Sequence, residues 1–340
     1  MSALQTGGKG RIRRTAPAIA LVTGAWLATA VVAPAAAPDT LAGGRSAKVV
    51  PIGTYAVGRV EETFVDDSRP TKAHADFPGA PSRTLHTTIY YPARGAPGDA
   101  VTADGTPDRR HGPYPMILYS HGNNSFGAEY EALLRQWASA GYVIAAPDYP
   151  LSNENGPGDA DPSDVENQPA DAHFVINRML ASNAKRSGTL SHLVDPKAIG
   201  ASGHSLGAIT TYRLVYEVCC RDTRVKAAAT MSGAAGDPPD YFSGISTPLL
   251  AEHGDADATI PYQSEADSYA KAGPPKYFLT LIGGAHSPPY RGGGDPIPTA
   301  VAHVTLDYFD RYLKHDKGAL DRLRQDANQP GVATLQEQTR

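Results

Sequence analysis

Cysteine is nearly absent from this 340-residue chain: there are two, adjacent at Cys219 and Cys220. Neighbouring cysteines can bond to each other only through a strained ring, so a long-range disulfide framework within one chain is excluded. The pair reads as two thiols near a helix end, one of them buried. A vicinal disulfide is the alternative open to an exported protein. Excess charge of either sign is also missing. The formal net charge is −4, and no basic stripe occurs beyond the first few residues, which argues against a nucleic-acid partner. What is present is ordinary for a packed core: 41% of residues are hydrophobic, so neither a fibre nor a disordered chain is indicated.

The N-terminus reads as a targeting segment. Lys9, Arg11, Arg13 and Arg14 form a positive region without an acidic neighbour. An apolar run follows over residues 16–32, then Ala33-Pro34-Ala35 as a small-x-small cleavage site. This is the pattern of a secretory signal peptide, removed from the mature protein. The run is broken by Pro17, Thr23 and Gly24 and falls short of the ~20 apolar residues of a spanning helix. A stable membrane anchor is therefore not expected. Arg13-Arg14 leaves a twin-arginine route open beside the general one. The absence of cysteine near the cleavage region argues against a lipoprotein. The expected organisation is a signal peptide at 1–35, a flexible leader at 36–50, one catalytic domain at 51–317 and a polar tail at 318–340.

Within that domain apolar runs alternate with helical periodicity. TLHTTIYY (84–91), PMILYS (115–120), YVIAAPDY (142–149), AIGAS (198–202), VKAAATMS (225–232), TPLLAEHG (247–254) and KYFLTLIG (276–283) are strand candidates. Helical patterns cover 129–140, 170–180, 205–218 and 299–313. Strands that read as continuous apolar runs between helices predict a mostly parallel sheet covered on both faces.

Gly203-His204-Ser205-Leu206-Gly207 matches G-x-S-x-G, a weak signal alone. Its setting makes it specific, because it follows an apolar strand and opens a helix, as a nucleophile elbow must. A serine needs a base to take its proton, and in this architecture the partners follow in the order Ser, acid, His. His286 lies on a glycine-rich loop beyond the last parallel strand candidate and is the expected base. His253 ends a strand before the acid, and His303 lies inside the last helix in a surface or packing role. Asp255 and Asp257 both follow the strand that ends near Gly254, and these residues alone do not separate them. One oxyanion N–H is expected from Leu206 and the other from Asn123, after the permissive Gly122. His121 reads as a brace for that loop. Asn124, Phe126 and Tyr149 are the expected substrate contacts.

The stretches SRTLHTTIYYPA, YSHGNN, GHSLGA, GDADATIP and GGAHSPP resemble α/β-hydrolases of the platelet-activating-factor acetylhydrolase, chlorophyllase and dienelactone hydrolase group. They are more distantly similar to cutinase-like polyester hydrolases. The resemblance implies an α/β-hydrolase fold with a mostly parallel central sheet, helices on both faces and no large lid. Its G-x-x-D-x-x-[IV]-P setting makes Asp257 the acid. It also agrees with His286 as base and Asn123 as oxyanion donor. Polyester hydrolases of the cutinase type carry a tryptophan after the strand that here ends in Met231-Ser232-Gly233; its absence weakens a polyester role. Ala208 replaces a second glycine common after the elbow.

The expectation is a secreted carboxylic ester hydrolase for small-molecule, lipid or polyester esters, with short acyl chains expected. Lipase, phospholipid acetylhydrolase and polyester hydrolase are the alternatives within esterases, with an amidase or peptidase beyond them. A non-catalytic binding module on this fold should have lost a triad member, and all three are present. Asp159, Asp161, Asp164 and Glu166 offer oxygen ligands of the kind calcium takes, but without EF-hand spacing; no metal and no cofactor is assigned.

Overall fold

The computed structural model describes residues 53–236 and 241–340. The signal peptide and leader expected at 1–50 lie outside the described residues. Among the described residues ten strands form a single sheet. They are β1 (Ala56–Asp66), β2 (Arg83–Ala93), β3 (Val101–Ala103), β4 (Tyr114–Ser120), β5 (Val143–Pro147), β6 (Val194–His204), β7 (Val225–Met231), β8 (Leu249–Gly254), β9 (Lys276–Leu281) and β10 (Ala333–Gln338). Their order across the sheet is β10-β9-β8-β7-β6-β4-β5-β2-β1-β3. From β5 to β9 all neighbours are parallel. β2 and β10 add antiparallel edges at the two sides of that block.

Among the described residues six α-helices cover the sheet: α1 (Glu131–Ser139), α2 (Gln168–Asn183), α3 (Leu206–Tyr216), α4 (Tyr262–Lys271), α5 (Pro296–Leu313) and α6 (Ala319–Ala327). β4, β5 and β8 are buried along their whole length; β4 and β5 accordingly read as largely apolar runs, whereas β8 carries the buried Glu252 and His253. The core accordingly divides into two layers. Leu118, Ala201, Val175 and Tyr212 belong to the layer under α2, α3 and α4. Ile117, Trp137, Val304, Phe309 and Leu323 belong to the layer under α1, α5 and α6. This is the mostly parallel sheet with helices on both faces that the sequence predicts. Among the described residues no helix is long and apolar enough to cross a membrane.

Two expectations need correction. Residues 318–340 are not a featureless tail: α6 packs Leu323 and Ala327 into the core, and β10 pairs with β9 from Ala333↔Leu281 to Gln338↔Lys276. The polar composition of β10 suits an outer strand with one partner. Cys219 and Cys220 are bonded to each other rather than being free thiols. Neither is buried; they sit in the turn that ends α3, closed by the Cys220 N–H donating to the Glu217 carbonyl.

The acidic loop is tied to arginines: the Asp164 carboxylate is buried, while Glu166 stays exposed. Asp164 accepts from Arg83 at 2.8 Å, and Glu166 pairs with Arg213 at 2.8 Å. Asp171 on α2 accepts from both Arg83, at 2.7 Å, and Arg69, at 2.6 Å. Arg83, Asp164 and Asp171 are all buried. Removing one member of such a buried ion pair costs about 3–5 kcal/mol, because a charge is left uncompensated. The network therefore pins the segment between β5 and α2 to β2.

Candidate active site

The chain leaves β4 to one side of the sheet through α1 and β5, then crosses to the other side through α2 to β6. The carboxyl ends of β4 and β6 thus meet at the point where the winding direction reverses, where open α/β sheets leave a crevice. Two loops meet there: residues 121–124 after β4, and Ser205 after β6.

Ser205 has φ 55° and ψ −119°, a left-handed backbone that few non-glycine residues adopt. The turn is held because strand and helix almost touch. A Cβ on Gly203 would overlap the Gly207 carbonyl, and one on Gly207 would overlap the carbonyl of Ser120. Ser205 therefore projects from the sheet end, half-buried, directly before the first turn of α3. The N-terminus of that helix adds a positive dipole end beneath it.

His286 lies in the loop after β9. Its Nε2 is 2.9 Å from the Ser205 Oγ and its Nδ1 is 2.7 Å from the Asp257 Oδ2. An acceptor-only carboxylate at Nδ1 requires the proton there, leaving Nε2 free to accept from the serine hydroxyl. The other Asp257 oxygen accepts from the backbone N–H of Thr259 at 2.8 Å and of Ile260 at 3.0 Å. Burial opposes the charge on this carboxylate. The hydrogen bonds from His286, Thr259 and Ile260 outweigh that and hold its pKa below the usual aspartate value. Asp255 is turned away and exposed, accepting the Gly283 N–H at 2.6 Å. So Ser205, His286 and Asp257 are brought into one hydrogen-bonded line, and Asp255 ties the β8 loop to the β9 loop.

The loop after β4 is braced as its residues suggested. His121 accepts the Tyr149 N–H on Nε2 at 3.0 Å and donates from Nδ1 to the Gly122 carbonyl at 2.7 Å. Burial pushes its pKa down to about 4, so it is neutral and this tautomer is fixed. A Cβ on Gly122 would stand 3.3 Å from the Ser205 Cβ, which shows how close this loop runs to the serine. Among the described residues, neither the Asn123 N–H nor the Leu206 N–H donates to a protein acceptor. Asn124 is exposed, with φ 54°, and its N–H donates to the Ser152 carbonyl at 2.8 Å. Phe126 is half-buried beside it.

Tyr149 is not placed to touch a substrate. Its side chain is wholly buried, its hydroxyl lies 2.7 Å from Ser120 Oγ, and its ring tilts against His121 at 5.3 Å. It supports the loop from behind. Tyr290 is equally buried, with its hydroxyl on the Glu252 carbonyl at 2.9 Å.

Sequence reasoning passed over two supporting histidines. His204, inside the elbow motif, has Nε2 2.8 Å from the His286 carbonyl and Nδ1 3.1 Å from the Tyr130 hydroxyl. Burial pushes its pKa down to about 3, so it is a neutral donor holding the His286 backbone. His253 stands behind Asp257, with Nε2 3.3 Å from Oδ2. The signal for His204 was its place in the motif; no spacing pattern announced His253.

The arrangement has the parts that acyl transfer needs: a hydroxyl paired with an imidazole, an oriented carboxylate, and unpaired N–H groups beside the hydroxyl. Comparisons with known proteins bear on the fold around it. Residues 103–237, which span the loop after β4 and the elbow, match the Chlorophyllase family model. A ferulic acid esterase structure from Streptomyces cinnamoneus superposes with a TM-score of 0.62 at 21% identity, covering 78% of this chain and 93% of that one. Comparison with curated proteins gives no match. The superposition shows that the chain has the α/β-hydrolase fold.

Proposed function

We propose that this is an exported serine esterase that works through a Ser205–His286–Asp257 triad and an acyl-enzyme. The observation that carries the reading is the unbroken line from the Asp257 Oδ2 through both nitrogens of His286 to the Ser205 Oγ, at 2.7 and 2.9 Å. His286 Nε2 takes the hydroxyl proton as Oγ bonds to the ester carbonyl carbon. The oxygen of the resulting tetrahedral adduct carries the negative charge, and the Asn123 and Leu206 N–H groups stabilise it. His286 then returns the proton to the alkoxide, which leaves as the alcohol. Water, deprotonated by the same imidazole, attacks the acyl-enzyme and releases the acid. Asp257 keeps the imidazole in its working tautomer and stabilises its charged form. Asn124 and Phe126, at the exposed rim, are the proposed substrate contacts. Export rests on the residue pattern at 1–35.

Short acyl groups are the proposed substrates. Between β5 and α2 the described chain forms only a 3-10 turn, Pro162–Glu166, held by the Arg83 network; the segment before α5 forms only Pro288–Tyr290. Neither provides an amphipathic helix to cover an apolar trench. With Tyr149 and Tyr290 both buried, two aromatics that could have extended a groove are withdrawn from it. A long chain left in water forgoes about 0.8 kcal/mol for each CH₂ that stays unburied.

Nitrophenyl esters from acetyl to palmitoyl test this. kcat/KM should be highest for the short members, with no rate jump above the solubility limit. A maximum at long chains, or such a jump, would make the protein a lipase. A nitroanilide, a phospholipid and an alkyl ferulate run beside them separate amidase, phospholipase and aryl-esterase activity.

A further inference from the structure

Alternation along β8 sends Glu252 and His253 to opposite faces of the sheet, and His253 faces the layer under α4. Its ring is completely buried between two carboxylates. Nδ1 is 2.7 Å from Glu265 Oε2 on α4. Nε2 is 3.0 Å from the Ile260 carbonyl and 3.3 Å from Asp257 Oδ2. A carbonyl can only accept, so Nε2 must carry a proton. At the other nitrogen, Glu265 already accepts from three other donors, which leaves an acceptor site for Nδ1. Its Oε2 accepts the Gly233 N–H at 2.8 Å, and its Oε1 accepts from Thr230 at 2.6 Å and from the Tyr212 hydroxyl at 3.2 Å. A carboxylate so surrounded has no need of a proton of its own, so Nδ1 supplies one to the shared bond.

We propose that His253 is a positioning residue, held as a buried imidazolium between Glu265 and Asp257, which fixes the acid of the triad and draws off part of its negative charge. This rests on the reading of Ser205, His286 and Asp257 as the triad. Burial works against a charged imidazole here, but the hydrogen bond and charge of Glu265 outweigh it and hold the His253 pKa above the ordinary histidine value. The other titratable groups around it do not compete for that role. Neutral His204 and the base His286 lie beyond Asp257; Tyr212 lies behind Glu265, and the Tyr262 ring meets the imidazole edge-on at 5.9 Å.

The consequence concerns the pH range of the base. Asp257 Oδ2 is shared by two imidazoles: His286 at 2.7 Å and His253 at 3.3 Å. A cation on the far side reduces the attraction that Asp257 exerts on a protonated His286. The base then sheds its proton more readily, and activity persists to lower pH. Removing the cation reverses this: the acidic limb of kcat/KM moves to higher pH.

Two substitutions test it. Glu265→Gln keeps shape and hydrogen-bonding capacity but removes the anion that holds the proton on His253. His253→Gln keeps an amide donor and removes the charge itself. Each should move the acidic limb of kcat/KM upward by at least about half a pH unit, while the plateau above the limb falls less than about tenfold. A lowered plateau with an unmoved limb would mean that the pair only supports the fold, and would overturn the proposal while leaving the triad intact. Should Asp257→Asn retain wild-type kcat/KM, the triad reading itself fails. If neither variant folds, the ring ¹⁵N shifts of His253 in the wild-type protein decide: both nitrogens protonated at a pH of full activity supports the imidazolium, and one unprotonated nitrogen overturns it.

Discussion

Ser205→Ala should lose about 10⁴- to 10⁶-fold in kcat on a nitrophenyl ester while its melting temperature stays within a few degrees of wild type. The loss is large because Oγ forms the bond that splits one difficult hydrolysis into two easier steps. With the oxygen gone, the unpaired N–H groups of Asn123 and Leu206 can stabilise only direct attack by water. Stability should hold because the elbow is shaped by Gly203 and Gly207 pressing against backbone carbonyls, and alanine meets the φ of 55° no worse than serine does. The side chain gives up a single hydrogen bond, to His286. Activity within tenfold of wild type would place the nucleophile elsewhere.

Asp257→Asn should lose about 10⁴-fold, whereas Asp255→Asn should stay within about threefold. The Thr259 and Ile260 N–H groups fix which atom of an asparagine at 257 faces them: they require its carbonyl oxygen. The amide NH₂ is then turned towards His286 Nδ1, where it can only donate. The ring answers by carrying its proton on Nε2, the tautomer that cannot take one from Ser205. At position 255, an asparagine carbonyl still accepts the Gly283 N–H as the aspartate does at 2.6 Å, and the loop junction survives. Comparing kcat for the two variants checks this, and equal losses would show that the acid has been misassigned.

These residues differed in how plainly the chain announced them. Strands β4 and β5 were legible because a strand buried on both faces is an uninterrupted apolar run. β1 was not, since only Val57, Gly58, Phe64 and Asp66 are buried in it and the charged Arg59, Glu61 and Glu62 dilute the alternation. α4 escaped because it buries only Glu265, Ser268 and Tyr269, too few to show a helical stripe. β10 looked like tail because its residues are polar and it pairs on one side alone.

The same division runs through the site. Ser205 and His286 occupy positions that local motifs mark: a strand-to-helix glycine turn and the loop after a late strand. Asp255 and Asp257 share one such position: the resemblance favours Asp257, and the tertiary hydrogen bonds give the physical difference between them. Tyr149 follows a strand at the mouth of the crevice, and nothing local says that its ring turns inward to Ser120. His253 meets Glu265 from a different element and Asp257 across a turn. A contact of that kind has no spacing to read until the sheet and α4 are packed together.

The most direct test of the central claim is covalent. A fluorophosphonate probe, incubated with the full protein and followed by peptide mass spectrometry, should label Ser205 stoichiometrically and abolish esterase activity in step with labelling. His286→Ala should slow that labelling by orders of magnitude, because the hydroxyl then lacks its base. Label on another serine accompanied by loss of activity, or full activity with Ser205 modified, would contradict the account.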